Sequence, residues 1–400
     1  MSFNEILIPV SSTSINSRPF HKLKMRSKSI VNIRSIFATF FSVLYISVGS
    51  NLQAREKSQI YQRTNSFSYS EVSPIKQFAN SLEGPAIDAG GVTITSTQFE
   101  LGNDVYLSEK YGGFSYGLVS RFDYFLEFTN DTAEIFYADK NDVALDQNRT
   151  YSIDLKANHV SARGFKLGYL GKITNAFDYQ IHMSFINAYS MLVGRLTGEL
   201  NGLGGDTSGD LVIDYQYSRD TIFDREESEL TADGRTVDAA FQWQPTKKLS
   251  FEFYGRDIYS EIAWKGQDRT VGGATSNRVR FGDDGLLNVR PALFWQESER
   301  DLNQVLPVQM TFNGAYQLNE RDTFKASVFT YEEYTFTNMA YSHRFFKNVN
   351  VGLSYNFDLD AVGFEFDTRF LKLKLSMDDY DYTQAKSLSF DLGFYFPIWP

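Results

Sequence analysis

The chain has 400 residues, of which 42% are hydrophobic, 22% are charged and none is cysteine. The absence of cysteine excludes a lipoprotein anchor, a disulfide framework and cysteine metal sites. The formal net charge of −10 argues against nucleic acid as a partner, because phosphate binding needs a basic footprint.

Aromatic residues make up 16% of the chain and recur with a period of two rather than at helical spacing, which is typical of a sheet protein. The N-terminal region contains one apolar run, residues 36–48, which is too short to span a membrane as a helix. Three basic residues precede this run: Arg26, Lys28 and Arg34. The pattern predicts a secretory signal peptide cut near Ala54, with residues 1–54 as the leader and Met25 as a possible true start. A buried helix of a soluble protein is the alternative.

The chain after residue 54 contains no run of about 18 apolar residues, so we do not expect it to cross a membrane as a helix. Loss of the leader removes six basic residues and one acidic residue, which leaves a net charge near −15. This balance predicts acidic loops or an acidic lumen that favours cations. The remaining route into lipid is a closed β-barrel, in which every backbone group is paired.

Residues 55–90 are rich in Ser, Gln and Asn, and show no sustained periodicity apart from a weak helical patch at residues 75–82. We expect residues 55–90 to form a periplasmic tail or a plug inside the lumen of the barrel. From residue 91 to residue 148 the alternation is intermediate, with irregular connections. The barrel itself is predicted over residues 91–400.

From Arg149 onward, apolar and polar residues alternate regularly in short segments that are separated by turn residues. We count about 14 such strands to the end of the chain, and up to about four more before Arg149. The predicted fold class is all-β: a transmembrane, antiparallel, up-and-down β-barrel of about 14 strands, within a range of about 12 to 18. A soluble sandwich of two sheets shows the same alternation and is the alternative.

Three segments depart from the alternation. Residues 201–210 and residues 264–288 are rich in glycine and charge, and we expect them to form long loops outside the barrel or at a constriction. Residues 188–203 place leucines at helical spacing. They are predicted either as a short helix in or over the lumen, or as a strand that runs into a loop.

One short motif suggests hydrolase chemistry. The segment from Gly113 to Gly117 matches G-x-S-x-G, the nucleophile elbow, with Ser115 at the nucleophile position. That motif needs a sharp turn from a strand into a helix, whereas the residues after Ser115 continue to alternate. We therefore interpret Ser115 as a strand residue.

Three histidines follow the leader. His159 and His182 are predicted on the polar faces of strands, and His343 has a similar context. Outer-membrane acyl hydrolases use such a histidine as general base beside a serine on a neighbouring strand. The sequences around these histidines do not resemble those enzymes. We interpret all three as residues satisfied in a polar lumen or at its rim, and predict no catalytic residue and no enzyme activity.

Clustered aspartates are the remaining candidates for a site. Asp206 with Asp210, and Asp283 with Asp284, are of the type that binds calcium, but no known loop spacing supports them. We interpret them as solvated charges. Nucleotide-binding and metalloprotease motifs are absent from the sequence, so no metal and no cofactor is predicted.

The chain ends in the clearest strand pattern of the sequence. Six apolar residues there alternate with small or polar ones: Leu388, Phe390, Leu392, Phe394, Phe396 and Ile398. This segment resembles the C-terminal strand by which the barrel-assembly machinery recognises Gram-negative outer-membrane proteins. With the signal peptide, it makes residues 91–400 resemble the porin-like and fatty-acid-transporter-like barrels of Gram-negative outer membranes. The chain departs from that pattern at Pro400, where such barrels usually end on Phe or Trp.

The resemblance implies a protein of the Gram-negative cell outer membrane, in contact with the lipid bilayer and lipopolysaccharide, and with the barrel-assembly machinery during biogenesis. The expected function is a non-enzymatic channel or transporter for small molecules. The alternatives are a structural or assembly component, such as one that exports a surface polymer, and a membrane lipid hydrolase. No motif identifies the solute. If residues 55–90 plug the lumen, their deletion is expected to open a cation-preferring conductance.

Overall fold

The computed structural model describes residues 58–108, 111–146, 148–203, 206–218, 230–275, 279–281, 287–289 and 292–398. The predicted leader, residues 1–54, and the candidate aspartates Asp283 and Asp284 lie outside the described residues. The described part of the chain consists mainly of antiparallel strands.

The strands, in chain order, are β1 (Gln59–Ser70), β2 (Val92–Ser108), β3 (Gly112–Phe128), β4 (Thr150–Thr174), β5 (Phe177–Leu203), β6 (Asp206–Tyr217), β7 (Ala232–Trp243), β8 (Leu249–Thr275), β9 (Val279–Phe281), β10 (Leu287–Val289), β11 (Ala292–Gln304), β12 (Gln309–Gln317), β13 (Asp322–Tyr331), β14 (Tyr334–Phe346), β15 (Val349–Asn356), β16 (Ala361–Thr368), β17 (Leu371–Met377) and β18 (Ser387–Pro397). Fourteen of them, β1 to β5, β7, β8 and β12 to β18, pair in a ring. The ring closes where β1 pairs antiparallel with β18, from Gln59 opposite Pro397 to Tyr69 opposite Ser387. The predicted fold class, an antiparallel barrel of about 14 strands, is confirmed.

The wall is much higher on one side than on the other. β5 and β8 have 27 residues each, whereas β15 and β16 have 8 residues each. β6 continues the line of β7 between β5 and β8, and β11 continues the line of β12 along β8. Each of these two returning strands is therefore built from two segments. The raised part of the wall extends beyond the ring of 14 strands at one end.

The two ends of the barrel differ in their connections. One end holds the start of β1, the end of β18 and short turns such as residues 175–176 and 347–348. The other end holds longer loops, including residues 71–91 and 129–149. Outer-membrane barrels have short periplasmic turns and longer loops outside the cell. We therefore name the first the periplasmic end and the second the external end.

Two short helices lie in the external loops: α1 (Ile75–Ala79) and α2 (Asn130–Lys140). The side chain of Thr129 accepts a hydrogen bond from the backbone N–H of Thr132 (3.3 Å) and so caps α2. Phe136 of α2 packs on apolar residues of β4 and β5 along the raised wall. Neither of these helices is long and apolar enough to cross a membrane.

Apart from β1, the strands of the ring turn a mainly apolar row outward. Strand pairing places Phe364 beside Leu353 on one side and Leu375 on the other, and these side chains are 41%, 63% and 38% exposed. On the opposite wall, the rings of Phe165 and Phe185 stack with their centroids 5.0 Å apart. A continuous outward apolar surface of this kind suits lipid rather than water. The barrel is of the outer-membrane type.

The closing strand has the two faces that its sequence predicts. Leu392 and Phe394 lie beside Leu373 and Leu371 of β17 on the outward face. Asp391 lies on the inward face, bound to β1 by an ion pair. Pairing on both sides of β18 removes the open edge that a sheet cannot expose to lipid.

Residues 55–90 were predicted to form a tail or a plug. Part of this segment forms a strand of the barrel wall instead. Residues 59–70 form β1, which pairs along its length with β2 and β18. The alternation is inverted in this strand, because polar residues face outward and aromatic residues inward, so the usual lipid-facing signal is missing. The outward row contains Ile60, Gln62, Thr64, Ser66 and Ser68. The barrel therefore begins at residue 59 rather than at residue 91.

Three further segments predicted as loops or a helix are largely strand. Residues 188–203 belong to β5, the described part of residues 201–210 forms the β5–β6 hairpin, and residues 264–275 continue β8. An extra residue in β5, Tyr189, shifts the register against β4. A spacing of four residues fits a strand as well as a helix, so Leu192, Leu196 and Leu200 lie on one face of β5, where α2 covers part of them.

Candidate functional site

The inward row of the wall is polar and charged near the periplasmic end. Lys325 Nζ lies 2.6 Å from Glu365 Oε2, and Lys374 Nζ lies 3.1 Å from Glu365 Oε1. Arg63 Nη2 of β1 lies 3.3 Å from Asp391 Oδ2 of β18. The side chains of Lys374 and Arg63 are about half exposed although they point into a closed barrel. This part of the lumen is therefore open to water.

Closer to the external end, β8 bends into the lumen. Its pairing with β7 changes register between Val237 and Ala239, so residues 256–258 lie opposite the single residue Asp238. This is a β-bulge, in which extra residues kink the strand. Asp257, at its centre, has a φ of 55° in the left-handed region, and its backbone N–H donates to Asp238 Oδ1 (3.0 Å).

On its other side, the bulge faces a gap in the ladder. β12 pairs with β8 as far as Arg256, and β11 pairs with it again from Ile262. Residues 305–308, which link β11 to β12, pass this gap, and the backbone N–H of Leu306 donates to Ser260 Oγ (2.8 Å). Among the bulge residues 256–258, only Arg256 has a ladder partner in the described strands, Gln309 of β12.

Arg121 of β3 ties the bulge to the far wall. Its Nη1 and Nη2 donate to the two carboxylate oxygens of Asp257 at 2.8 and 2.7 Å, and its Nε donates to Asp123 Oδ2 at 2.6 Å. β4, β5 and β7 separate β3 from β8 along the wall, so this pair spans the lumen. The side chains of Arg121 and Asp257 are 3% and 0% exposed. A bidentate guanidinium–carboxylate pair is among the strongest polar contacts in proteins.

Arg256, also in the bulge, adds contacts to β2. Its Nη1 lies 3.1 Å from Ser96 Oγ, and its Nη2 lies 3.3 Å from Asp123 Oδ1. Ser96 donates to Asp123 Oδ1 (2.7 Å), while Gln309 of β12 donates to Ser96 Oγ (3.1 Å). Side chains from β2, β3, β8 and β12 therefore meet at one height of the lumen.

A third cation, Lys166 of β4, lies in the same layer. Its Nζ is 2.9 Å from Glu100 Oε1 and 3.3 Å from Asp238 Oδ2, and all three side chains are nearly buried. We name this layer the ionic constriction: Ser96, Glu100, Arg121, Asp123, Lys166, Asp238, Arg256, Asp257 and Gln309. It contains three cations and four carboxylates.

The charges of the ionic constriction depend on one another. A buried ion pair as a whole contributes little net stability, but removal of one partner costs roughly 3 to 5 kcal/mol because the other charge stays buried. Arg121 lies between Asp123 and Asp257, so each of its neighbours loses its main partner if it is removed. A solute that passes through the lumen must displace the side chains of the ionic constriction.

Beside the ionic constriction, the inward face of β4, β5 and β7 is apolar. Asp123 pairs with Val160 in the β3–β4 ladder, which shows that the two regions share one height. Leu306, from the linker between β11 and β12, is 1% exposed against this surface, whereas its neighbour Val305 is 61% exposed. We name this surface the apolar wall: Val119, Val160, Ala162, Ile186, Ala188, Met191, Ala232, Ile262, Trp264 and Leu306.

An aromatic layer covers the lumen externally on the side of β1 and β13. Phe125, the next inward residue of β3 after Asp123, stacks on Tyr331 of β13 with ring centroids 5.8 Å apart. Phe67 of β1 meets Phe329 of β13 edge to face at 5.2 Å. The bulge of β8 thus occupies the space between this aromatic layer and the apolar wall.

The structure separates the residues that the sequence singled out. Ser115 is the fourth residue of β3 and faces inward, and the strand continues to Phe128 without an elbow. His182 faces inward from β5, close to Gly168 of β4. His343 lies near the periplasmic rim, with Nδ1 2.7 Å from Asp322 Oδ1. These side chains do not meet in one site.

His159 is on the other face from the one predicted. It lies on the outward row of β4, beside Phe122 and Tyr124 at 5.0 and 5.6 Å between ring centroids. Its Nδ1 is 2.8 Å from the backbone oxygen of Asp123, and its Nε2 is 3.4 Å from Ser190 Oγ. The prediction placed it on the polar face because sequence alone does not tell which row faces the lumen.

The aspartates predicted as a cluster lie along a strand. Asp206 opens β6 opposite Leu203, and Asp210 pairs with Glu199 four residues further along. Strand residues four apart are roughly 13 Å apart along the chain, too far to share one ion. Among the residues that the structure describes, no group of His, Asp or Glu side chains has the arrangement of a metal site.

The sequence pattern does not predict which residues form the ionic constriction. Ser96 and Gln309 are 213 positions apart, and Arg121 and Asp257 are 136 apart. One local signal was present, since Arg121 and Asp123 interrupt the inward row of a strand whose outward row is aromatic. It shows two charges inside the barrel but not the strand that they meet.

No protein-family model matches the chain. No curated protein matches it either. Among solved structures, the TodX deltaS2S3 mutant monoaromatic hydrocarbon channel is similar over 88% of this chain and 96% of its own, with 11% identity and a TM-score of 0.44. The Pseudomonas putida toluene transporter TodX is similar over 87% and 93%, with 11% identity and a TM-score of 0.39. The Ralstonia pickettii toluene transporter TbuX is similar over 86% and 90%, with 8% identity and a TM-score of 0.35. At these identities and TM-scores, the likeness does not establish what this chain carries.

Proposed function

We propose that this protein is a non-enzymatic outer-membrane channel for small molecules. One observation carries the proposal: within the described residues, inward Lys374 and Arg63 toward the periplasmic end are about half exposed, whereas the side chains of the ionic constriction are nearly buried. A barrel of about 14 strands is too wide for opposite walls to fill it with ordinary side chains. Here one bent strand closes the gap, so a local movement is enough to open a path.

The solutes that fit this layer are small and weakly polar. An ion passing the ionic constriction would compete with seven charged groups that are already paired and nearly dry, at a high desolvation cost. A neutral solute with apolar surface has the apolar wall as an alternative contact at the same height. Burial of apolar surface contributes about 25 cal/mol per Å², so this wall favours such a solute.

The test measures passage of a neutral aromatic probe. Cells that express the protein are compared with cells that do not, using the influx of N-phenyl-1-naphthylamine, which fluoresces once it has crossed the outer leaflet. We expect expression to raise the initial rate several-fold. Leu306→Lys, which puts a charge into the apolar wall, should return the rate to background. Val305→Lys, one residue away on an exposed position, should leave it unchanged.

A folding control accompanies both variants. Folded outer-membrane barrels resist unfolding in detergent and change their gel mobility on heating, so each variant is checked for this shift before influx is compared. If the folded wild-type protein does not raise influx, the channel proposal is wrong. A structural role in the envelope would then be the better interpretation.

A further inference from the structure

We infer that the bulge of β8 is a movable plug, and that the Arg121–Asp257 pair is the latch that holds it in the lumen. The inference rests on the proposed channel function and concerns how that channel is opened and closed. Three features of the structure carry it: the missing backbone partners of the bulge, its strained conformation, and the position of Arg121 on a wall that stays in place.

The backbone around the bulge is free to move on one side. The ladders to β12 and β11 leave residues 257–261 of β8 unpaired between them. On the β7 side, the backbone N–H of Asp257 is bound by the side chain of Asp238 rather than by a ladder partner. The bulge therefore moves at the expense of side-chain contacts, while the fourteen-strand ring stays closed.

The backbone conformation of the bulge is energetically unfavourable at Asp257. Asp257 is not glycine, and its φ of 55° lies in the left-handed region that costs free energy for other residues. The side chain of Ile258 lies next to Gly255 on the outer side of the bulge and is 44% exposed. The carboxylate of Asp257 holds the inner side through Arg121. Loss of the inner contact leaves the strain without its compensation.

Arg121, rather than Arg256, is the fixed half of the latch. Arg256 is on the same strand as Asp257, so its contacts with Ser96 and Asp123 do not link Asp257 to another strand. Arg121 lies on β3, which is paired without interruption to β4 and along nearly all its length to β2. If Asp257 leaves, Arg121 keeps its contact with Asp123 at 2.6 Å. The wall therefore tolerates an open state, which is what distinguishes a latch from a structural ion pair.

Two variants break the latch from opposite sides. Asp257→Asn removes one charge of the pair, and Arg121→Gln removes the other. Arg63→Gln is the matched control, because it also breaks an inward Arg–Asp pair, but one between the neighbouring strands β1 and β18 that does not cross the lumen. All three proteins are first checked for the heat-dependent mobility shift of a folded barrel.

Two measurements report opening. The first is steady conductance in a planar bilayer, which we expect to be low for the wild-type protein and Arg63→Gln, and at least about tenfold higher for Asp257→Asn and Arg121→Gln. The second uses the absence of cysteine from the sequence. Thr323→Cys places one thiol on the inward face of β13, near the periplasmic end of the barrel. Membrane-impermeant methanethiosulfonate added outside intact cells should label it at least about tenfold faster when the latch is broken.

The outcomes separate the latch from the channel. If Asp257→Asn and Arg121→Gln fold but conduct and label like the wild-type protein, the latch is refuted, whatever the dye influx shows. If the control Arg63→Gln opens the pore equally, a general loosening of the barrel replaces the latch. Absence of dye influx with the wild-type protein refutes the channel function alone, because labelling reports the plug independently of any solute.

Discussion

Neighbouring residues of β18 have opposite surroundings, so they should differ sharply in their tolerance of charge. Phe394 faces lipid beside Leu371, whereas Asp391 faces the wet lumen and pairs with Arg63. A charge on the lipid face costs roughly 2 to 4 kcal/mol at the midplane for a basic residue and less for an acidic one. In the lumen, water and the existing ion pair remove most of that cost.

The residue-scale prediction is that Phe394→Asp impairs assembly more than Asp391→Phe. The fraction of protein that reaches the outer membrane as a heat-modifiable barrel measures the effect. We expect that fraction to fall several-fold for Phe394→Asp and to change little for Asp391→Phe, which only frees a partly exposed arginine. Equal fractions for the two variants would reverse the assignment of faces in β18.

Strand β1 belongs to the barrel wall, but its sequence pattern does not identify it as a lipid-facing strand. Its inward row carries Tyr61, Phe67 and Tyr69, while its outward row is mostly polar. Side chains of the neighbouring strands cover part of the outward row. Thr64 is only 4% exposed, and Ser66 and Thr97 hydrogen-bond to each other at 2.8 Å. Polar groups that satisfy each other on the outer face cost less in lipid.

Deletion of residues 55–90 is no longer expected to open a conductance. Removal of residues 55–90 does not unplug a pore, since it deletes β1 and leaves β2 and β18 with unpaired edges. We expect deletion of residues 59–70 to abolish the heat-modifiable barrel. Deletion of residues 75–82, which holds α1 in the external loop, should leave a barrel that still shifts on heating. A folded barrel without residues 59–70 would show that β1 does not close the ring.

The net charge of the whole chain differs from the net charge of the side chains that line the lumen. The chain has a net charge of −10, but its ionic constriction holds three cations against four carboxylates. Toward the periplasmic end, inward lysines and Arg63 likewise face inward carboxylates. The field that an ion meets at the narrowest point is therefore close to balanced, and the acidity of the chain does not by itself predict strong cation preference.

The whole-molecule prediction concerns ion selectivity of the opened pore. Asp257→Asn leaves three cations and three carboxylates in the ionic constriction, whereas Arg121→Gln leaves two cations and four carboxylates. Reversal potentials in a salt gradient should show weak selectivity for the first variant and clear cation preference for the second. The same strong preference in both variants would mean that loops outside the constriction determine selectivity.

The class of fold, an antiparallel β-barrel, can be predicted from the amino-acid sequence alone. Alternation with a period of two is local, because successive side chains of a strand point to opposite faces, and a lipid-facing row must be apolar over its length. That is why the approximate number of strands, the apolar rows of β12, β13 and β15 to β17, and the closing strand could be predicted. It is also why β1 was missed, since its outward row is polar and its neighbours were unknown.

The contacts that close the lumen can be identified only from the tertiary structure. Arg121 and Asp257 come from strands four places apart in the wall, and the bulge that carries Asp257 lies where the partner of β8 on one side changes from β12 to β11. Alternation states that a residue faces inward, but it does not state which inward residues meet. That depends on the register of every strand between them, and each register is fixed by pairing along the whole ring.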